Sequence, residues 1–325
     1  MKVRHETCPH PGSGQVLVQT LLSAISPGTE MLIYRGQFPT GIAVDEGIGA
    51  LAGTFQYPLR YGYAAVGRVS VLGESVDPSW QDRLVFAFQP HTSHFLASPG
   101  DLHIVPAGIS TEEALFLPNM ETAVNFVMDG VPLVGERVAV FGLGIVGLLT
   151  TAVLARFPLE NLITFDLYPR RRQAALETGA TASLDPTESA IDEKVRALLP
   201  TGADLAFELS GSPQALDRAI ASTAFSGRVL VGSWYGQKRA ALDLGGYFHR
   251  SRIRLISSQV TTLSPELSGR WNKERRFAVA WEMIRQINPQ KWITHRFPLD
   301  QAPQAYDLLD HEAEQAIQVI FDYSL

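Results

Sequence analysis

Val138-Ala139-Val140-Phe141-Gly142-Leu143-Gly144-Ile145-Val146-Gly147-Leu148-Leu149 is an apolar run that changes its period at the glycines. Residues 138–141 read as a buried strand, and the stretch after Gly144 reads as an apolar helix. The glycines between them stand at G-x-G-x-x-G spacing. In such a turn the first glycine permits a tight reversal, the second lets backbone approach a pyrophosphate, and the third packs helix on strand. The helix N-terminus, with Ile145 and Val146 in its first turn, would then face the phosphates. The next strand ends in Asp166, at a distance along the chain that suits a carboxylate accepting hydrogen bonds from an adenosine ribose. The plainer alternative for Gly142 and Gly147 is ordinary turn and packing glycines.

Further along the chain the same texture recurs. Stretches 138–141, 162–165, 181–183, 205–208, 229–232 and 253–257 read as buried strands, with mostly helical patterns between the first five. Pro169 opens one of these helices and Gly179 closes it. This alternation predicts an α/β, doubly wound parallel sheet of Rossmann type. Towards the N-terminus the text is different. Stretches 15–20, 65–71, 83–87 and 102–105 are short, alternating or β-branched, and closed by turn residues, which predicts a small barrel or sandwich. Ser110 with Glu113 forms a capping box opening a helical stretch that Pro118 should kink or split. Beyond Ser257 lie a polar, basic segment, two helical stretches near 277–286 and 302–310, and a strand at 315–321. That tail is too short to fold alone, so it should return to the first domain. The expected organisation is 1–117 with 262–325 as one domain and 118–261 as the other.

Composition narrows the function classes. The 325 residues are 46% hydrophobic and 18% charged, with a formal net charge of −6, which removes the basic field that nonspecific nucleic-acid binding needs. Cys8 is the only cysteine, so no internal disulfide and no thiolate-rich zinc site can form, which fits a reducing cytoplasm. Residues 1–6 lack the apolar core of a signal peptide. The most apolar stretch, 142–155, is shorter than the roughly 20 residues of a membrane span. The expectation is a cytoplasmic protein that acts on a small molecule, without nucleic-acid or membrane partners.

With the glycine turn stand Pro27-Gly28-Thr29-Glu30, Gly62-Tyr63-Ala64-Ala65-Val66-Gly67, Asp82-Arg83-Leu84-Val85, Glu208-Leu209-Ser210-Gly211-Ser212 and Gly227-Arg228-Val229-Leu230-Val231-Gly232. Across nearly its whole length the chain resembles the medium-chain dehydrogenase/reductase superfamily. The resemblance implies a GroES-like β-barrel domain, discontinuous in sequence, around a Rossmann domain, and a homodimer is compatible with it. It also implies that Ser210, Gly211, Val231, Gly232, Ser233 and Ser258 line the nicotinamide half of a cofactor site. Zinc members of the superfamily carry a cysteine just before the Gly-Thr-Asp turn, a Gly-His-Glu triplet and a four-cysteine lobe. This chain has Ser26-Pro27, Gly62-Tyr63-Ala64 and no lobe cysteines, so neither zinc is expected. Among subfamilies, Ser26-Pro27-Gly28-Thr29-Glu30 and the run from Tyr61 to Gly67 most resemble the bacteriochlorophyllide hydroxyethyl dehydrogenase type.

Asp166 would repel a 2′-phosphate, which favours NAD(H); Arg170 and Arg171 leave NADP(H) open. Without zinc, hydrogen-bond donors must stabilise the charge that develops on a substrate oxygen. Tyr63, at the place of a lost histidine ligand, is the first candidate, with a packed barrel tyrosine as its alternative. Glu121 is a candidate acid/base or substrate anchor, or else a structural bond. Glu30 reads as a structural bond within its turn. His91 could edge a pocket or be solvated; as a pair with His94 on a strand the two imidazoles would face opposite ways, so no metal is expected there. Residues 269–276, with His249, Arg250, Arg252 and Arg254 before them, collect cationic groups. Arg270, Trp271 and Lys273 are therefore candidates for holding an anionic or ring-bearing substrate. The expected activity is zinc-independent interconversion of a secondary alcohol and a carbonyl, or reduction of a conjugated carbonyl. The rivals are an NADPH-dependent quinone or enone reductase and a dinucleotide-binding protein without turnover.

Overall fold

A computed structural model of the chain describes residues 1–39, 41, 43–44 and 47–325. In chain order the first elements are β1 (Val16–Ala24), α1 (Pro27–Tyr34), β2 (Ala65–Leu72), β3 (Leu84–Ala87), β4 (His94–Ala97), β5 (His103–Ile104) and α2 (Thr111–Ala114). Then follow α3 (Leu117–Gly130), β6 (Arg137–Phe141), α4 (Ile145–Leu154), β7 (Asn161–Phe165), α5 (Pro169–Thr178), β8 (Ala182–Leu184), α6 (Ile191–Leu198), β9 (Ala203–Glu208), α7 (Pro213–Ala221), β10 (Thr223–Val231) and β11 (Arg254–Ser257). The tail holds α8 (Lys273–Ile287), β12 (Ile293–Phe297), α9 (Ala302–His311) and β13 (Gln318–Asp322). The chain divides into two compact units, Met1–Pro118 with Ile284–Leu325, and Asn119–Met283. The return to the first unit falls inside α8, later than the residue 262 expected from sequence.

The unit of 119–283 holds one parallel sheet in the order β11-β10-β9-β6-β7-β8. The order reverses between β6 and β9, which makes the carboxyl ends of those strands the place where a doubly wound sheet receives a ligand. Its strands are apolar because helices cover both faces. Phe141 and Phe165 stack with ring centroids 4.3 Å apart, and each is fully buried, an arrangement worth about 1.5–3 kcal/mol per side chain from burial alone. Pro118 occupies the first turn of α3, where a missing N–H costs nothing; the helical stretch splits before it, between Ala114 and Leu117.

The other unit is built on a mixed sheet, β12-β13-β1-β2-β3-β5 with β4 paired to β1. Val16, Val18, Val69, Val85 and Phe95 fill one of its cores. Strands β4 and β12 are additional to those the sequence predicts. His91 lies before β4 rather than on it, so the opposite-face argument for His91 and His94 does not hold: the backbone at His91 is not extended strand. No helix among the described residues is long and apolar enough to cross a membrane.

Candidate functional site

Each of the three glycines at the start of α4 has its own physical reason. Gly142 has φ +93, and a Cβ there would lie 2.6 Å from Ser210 Cα. A Cβ on Gly147 would lie 1.9 Å from the Gly142 carbonyl oxygen. Gly144 is different: a Cβ there meets nothing within 4 Å, so the middle of the turn opens onto free space. Gly144 is also the N-cap of α4 and supplies no side-chain cap. The first-turn N–H groups, with Ile145 and Val146 among them, therefore concentrate positive potential where an anion could approach.

Asp166, at the end of β7 and 9% exposed, is already engaged. Its Oδ2 accepts from Leu143 N at 2.7 Å and its Oδ1 from Tyr168 N at 2.8 Å. A carboxylate offers about four acceptor positions, so this grip on the glycine turn leaves room for ribose hydroxyls. Arg172 braces the same corner, donating to the carbonyls of Asp166 and Leu167 and to Asp185. Arg171 lies over the Tyr168 ring at 4.7 Å, and Arg170 is exposed. A free turn, an uncapped helix start and a buried acceptor at the next strand end together fit a dinucleotide.

Ser210, Gly211, Val231, Gly232, Ser233 and Ser258 gather at the carboxyl ends of β9, β10 and β11, held by bonds the sequence did not disclose. The hub is Glu208, fully buried. Its Oε1 accepts from Ser210 N, Ser210 Oγ and Gly211 N at 2.8, 2.5 and 3.1 Å, and its Oε2 from the Tyr235 hydroxyl at 2.8 Å. Burial and then the Glu208 charge push the Tyr235 phenol well above its ordinary value. Ser233 Oγ accepts from Gly211 N, and Lys238 Nζ donates to the Gly211 carbonyl at 2.9 Å. A carboxylate ending an otherwise apolar strand was the signal available for Glu208.

Glu121 and Arg276 require a correction. Arg276 is fully buried, not part of a solvent-facing cationic cluster. Its Nε and Nη2 donate to Glu121 Oε1 at 3.0 and 2.6 Å, its Nη1 to Asn125 Oδ1, and its remaining hydrogens to the carbonyls of Val260 and Thr262. Asn125 and Asp129 then hold Ser258 through its hydroxyl. Burial raises the Glu121 carboxyl above its ordinary value, while Arg276 and, more weakly, Lys273 pull it back. Glu121 is thus committed to an ion pair, and acid/base work would require it to leave an interior guanidinium. Arg270 and Lys273 are exposed. Arg275 covers one face of Trp271, its guanidinium carbon 3.9 Å from the ring centre.

In the other unit Tyr63 donates to Ser26 Oγ. Ser26 N donates to Glu30 Oε1 at 2.7 Å, and Glu30 Oε2 receives Tyr306 and lies 3.1 Å from His91 Nε2. The other ring nitrogen of His91 is 2.8 Å from Ser23 Oγ, which also meets the Tyr323 hydroxyl. Both ring nitrogens are engaged and the side chain is only 9% exposed, so His91 is not a solvated histidine. Gly62 makes room for it, since a Cβ there would lie 2.8 Å from the imidazole. Burial, with Glu30 adding to it, raises the Tyr306 phenol well above its ordinary value. Burial also pushes the Tyr323 phenol up to about 12.

A family model described as zinc-binding dehydrogenase matches residues 146–278, which lie wholly in the parallel-sheet unit. The chain is similar to the uncharacterized zinc-type alcohol dehydrogenase-like protein YphC of Escherichia coli K12, at 29% identity over 67% of this chain and 60% of the relative. The chain thus spans about 60% of that curated relative's length. It is similar to the D-guloside 3-dehydrogenase of the same organism at 23% identity over 94% of this chain and 92% of the relative. The crystal structure of the short chain alcohol dehydrogenase RspB from E. coli CFT073, complexed with NADH, superposes with a TM-score of 0.77 at 18% identity, covering 98% of this chain and 94% of that one. The fold is that of the medium-chain dehydrogenases/reductases. The sequence likenesses are to a zinc-binding dehydrogenase model over part of the chain and to dehydrogenase-named relatives. Within this fold, the positions that the sequence resemblance aligns with zinc ligands, Ser26-Pro27 and Tyr63-Ala64, lie outside the matched 146–278 segment.

Proposed function

We propose that the protein is a nicotinamide-dependent oxidoreductase of alcohol-dehydrogenase type, working without zinc and preferring NAD(H). It would interconvert a secondary alcohol and a carbonyl, or reduce a conjugated carbonyl. The observation that carries the cofactor reading is the open Gly142–Gly147 turn, with Asp166 against it. The glycine turn and the start of α4 would hold the pyrophosphate, Asp166 the adenosine ribose, and the ends of β9, β10 and β11 the nicotinamide. A bound reduced nicotinamide supplies a hydride. The dehydrogenase names carried by relatives, and NADH in a neighbour of the same fold, are consistent with this assignment. Arg170 and Arg171 support the NADPH alternative.

Zinc independence rests on donor chemistry: serine, proline, tyrosine and alanine stand at the aligned ligand positions, and none is a ligand that holds zinc. NADH oxidation measured against a panel of ketones, aldehydes, enones and quinones tests the activity, with elemental analysis alongside. The expected result is turnover of at least one carbonyl, unchanged by chelator, in protein carrying no stoichiometric zinc. Tightly bound zinc near one per chain would refute the metal-free reading, and cofactor binding with no turnover would favour the non-catalytic one.

The substrate is proposed to be anionic or ring-bearing, as for the bacteriochlorophyllide type that the framework motifs resemble. After removal of Arg276 from the cluster, Arg270 and Lys273 carry the proposal. A contact to a substrate carboxylate remote from the reacting carbon acts equally in ground and transition states. Arg270→Ala should then raise KM with kcat nearly constant, costing about 1.5–3 kcal/mol in kcat/KM if a charged hydrogen bond is lost. Unchanged KM, and no effect of salt on the parent, would leave this face merely solvated.

A further inference from the structure

We propose that the parallel-sheet unit carries a second ligand site, for a small phosphate-bearing anion, built from Ser226, His249, Arg252 and Arg254. It lies at the amino ends of β10 and β11, the opposite end of the sheet from the glycine turn, and it does not depend on the oxidoreductase reading above.

A cavity of about 560 Å³ is lined by Ser226, Phe248, His249, Arg252, Ile253 and Arg254, a volume within the range of small-molecule sites. In the sequence the basic residues 249–254 stand with those of 269–276, but no residue of 269–276 lines this cavity. Three of its side chains are basic and none is acidic. The chain has 33 acidic residues against 27 basic ones, yet among the described residues His249, Arg252 and Arg254 form no ion pair. Arg228, the register partner of Arg254 on β10, is by contrast bonded to Glu136 at 2.7 Å. The donors of the cavity are therefore left for an anion from outside the chain.

The backbone on both walls is shaped at a cost. Ile253 N donates to the Phe248 carbonyl and Arg252 N to the His249 carbonyl, each at 3.3 Å, which is the bond pattern that closes a helix through one left-handed residue. That residue is Arg252, with φ +53, where glycine is the usual choice because it bears no strain there. On the facing wall β10 changes register between Thr223 and Arg228, a bulge of the kind that re-aims a side chain. Ser226 lies in it with φ +61. Its N–H donates to the Ser251 carbonyl at 2.7 Å, which ties the bulge to the arginine turn, and its hydroxyl has no partner among the described residues. Two guanidinium forks match phosphate oxygens, Ser226 and His249 add single donors, and Phe248 and Ile253 give the cavity an apolar wall.

Calorimetric titration of the full chain with inorganic pyrophosphate, in protein saturated with NADH so that the glycine turn is filled, tests this. The parent, Arg252→Gly, Arg252→Lys, Arg254→Gln and the Arg252→Gly/Arg254→Gln double variant are compared, each with its thermal unfolding. The parent should bind one pyrophosphate per chain, more weakly as salt is raised. Arg252→Gly and Arg254→Gln should each weaken binding at least about tenfold, the loss expected for a hydrogen bond to a charged group, and the double variant should show no saturable binding. Arg252→Lys, which keeps the charge and loses the fork, should fall between parent and Arg252→Gly. Arg252→Gly should also unfold at or above the parental midpoint, since glycine suits the left-handed turn, so its loss of binding cannot be put down to misfolding. No saturable binding by the folded parent, or binding by the double variant within twofold of the parent, would overturn the proposal. Displacement of the arginine-dependent binding by NADH would place the anion in the cofactor crevice and overturn it as well. If the chain binds no NADH, the cofactor reading fails and the arginine dependence of pyrophosphate binding still decides this one.

Discussion

Gly147→Ala is expected to abolish tight NADH binding and to lower the unfolding midpoint sharply. The added methyl would sit 1.9 Å from the Gly142 carbonyl oxygen, and the obstacle is backbone, which no rotamer change can relieve. Relief requires α4 to move away from the turn that holds its first-turn N–H groups in register. Overpacking of this kind costs about 1–3 kcal/mol, occasionally more, and the rigid neighbour puts this site at the upper end. Binding should weaken at least about tenfold, equivalent to 1.4 kcal/mol. Gly144→Ala is the control: it meets no atom of the protein, so stability should hold while NADH affinity falls. Calorimetry with fluorescence titration of both variants checks this, and a Gly147→Ala protein with parental midpoint and affinity would remove the packing argument.

Glu121→Ala should be the more destabilising of two ways to empty the interior ion pair. It strands the Arg276 guanidinium, fully buried, without the carboxylate that takes its Nε and Nη2 hydrogens. Leaving one buried charge unpaired typically costs about 3–5 kcal/mol. Replacing both partners, as Glu121→Leu with Arg276→Met, should recover most of that loss, because the desolvation of both charges disappears with them. Chemical denaturation of the single and double variants separates the two cases. If the double variant is as unstable as Glu121→Ala, the bonds from Arg276 to the Val260 and Thr262 carbonyls matter more than the ion pair.

The parallel-sheet unit was readable because its constraints are local. Gly142 and Gly147 are needed by backbone atoms within a few residues of them, Asp166 ends the very next strand, and buried parallel strands are written as apolar runs. The strand β12 is illegible for the converse reason. Ile293–Phe297 is partly buried along most of its length rather than alternating, so no period of two marks it. The polar interior was illegible for a different reason: its partners are far apart in sequence. Glu121 meets Arg276 across 155 residues, Glu30 meets His91 across 61, and Tyr306 reaches Glu30 across 276. Nothing local in 269–276 tells Arg276, facing inward on α8, from its exposed neighbour Arg275; one residue of helical phase decides it. Tyr63 stands out by its place in the resemblance, but its hydrogen bond to Ser26, across 37 residues of chain, is not written locally.

The most direct test of the account is titration of the full chain with NADH and NADPH, followed by nicotinamide fluorescence, on the parent and on Asp166→Ala. The account predicts saturable binding of NADH, weaker binding of NADPH because the Asp166 carboxylate meets the 2′-phosphate, and a narrowed or reversed preference in Asp166→Ala with Arg170 and Arg171 still in place. Absence of saturable binding of either nucleotide by the folded parent would contradict it.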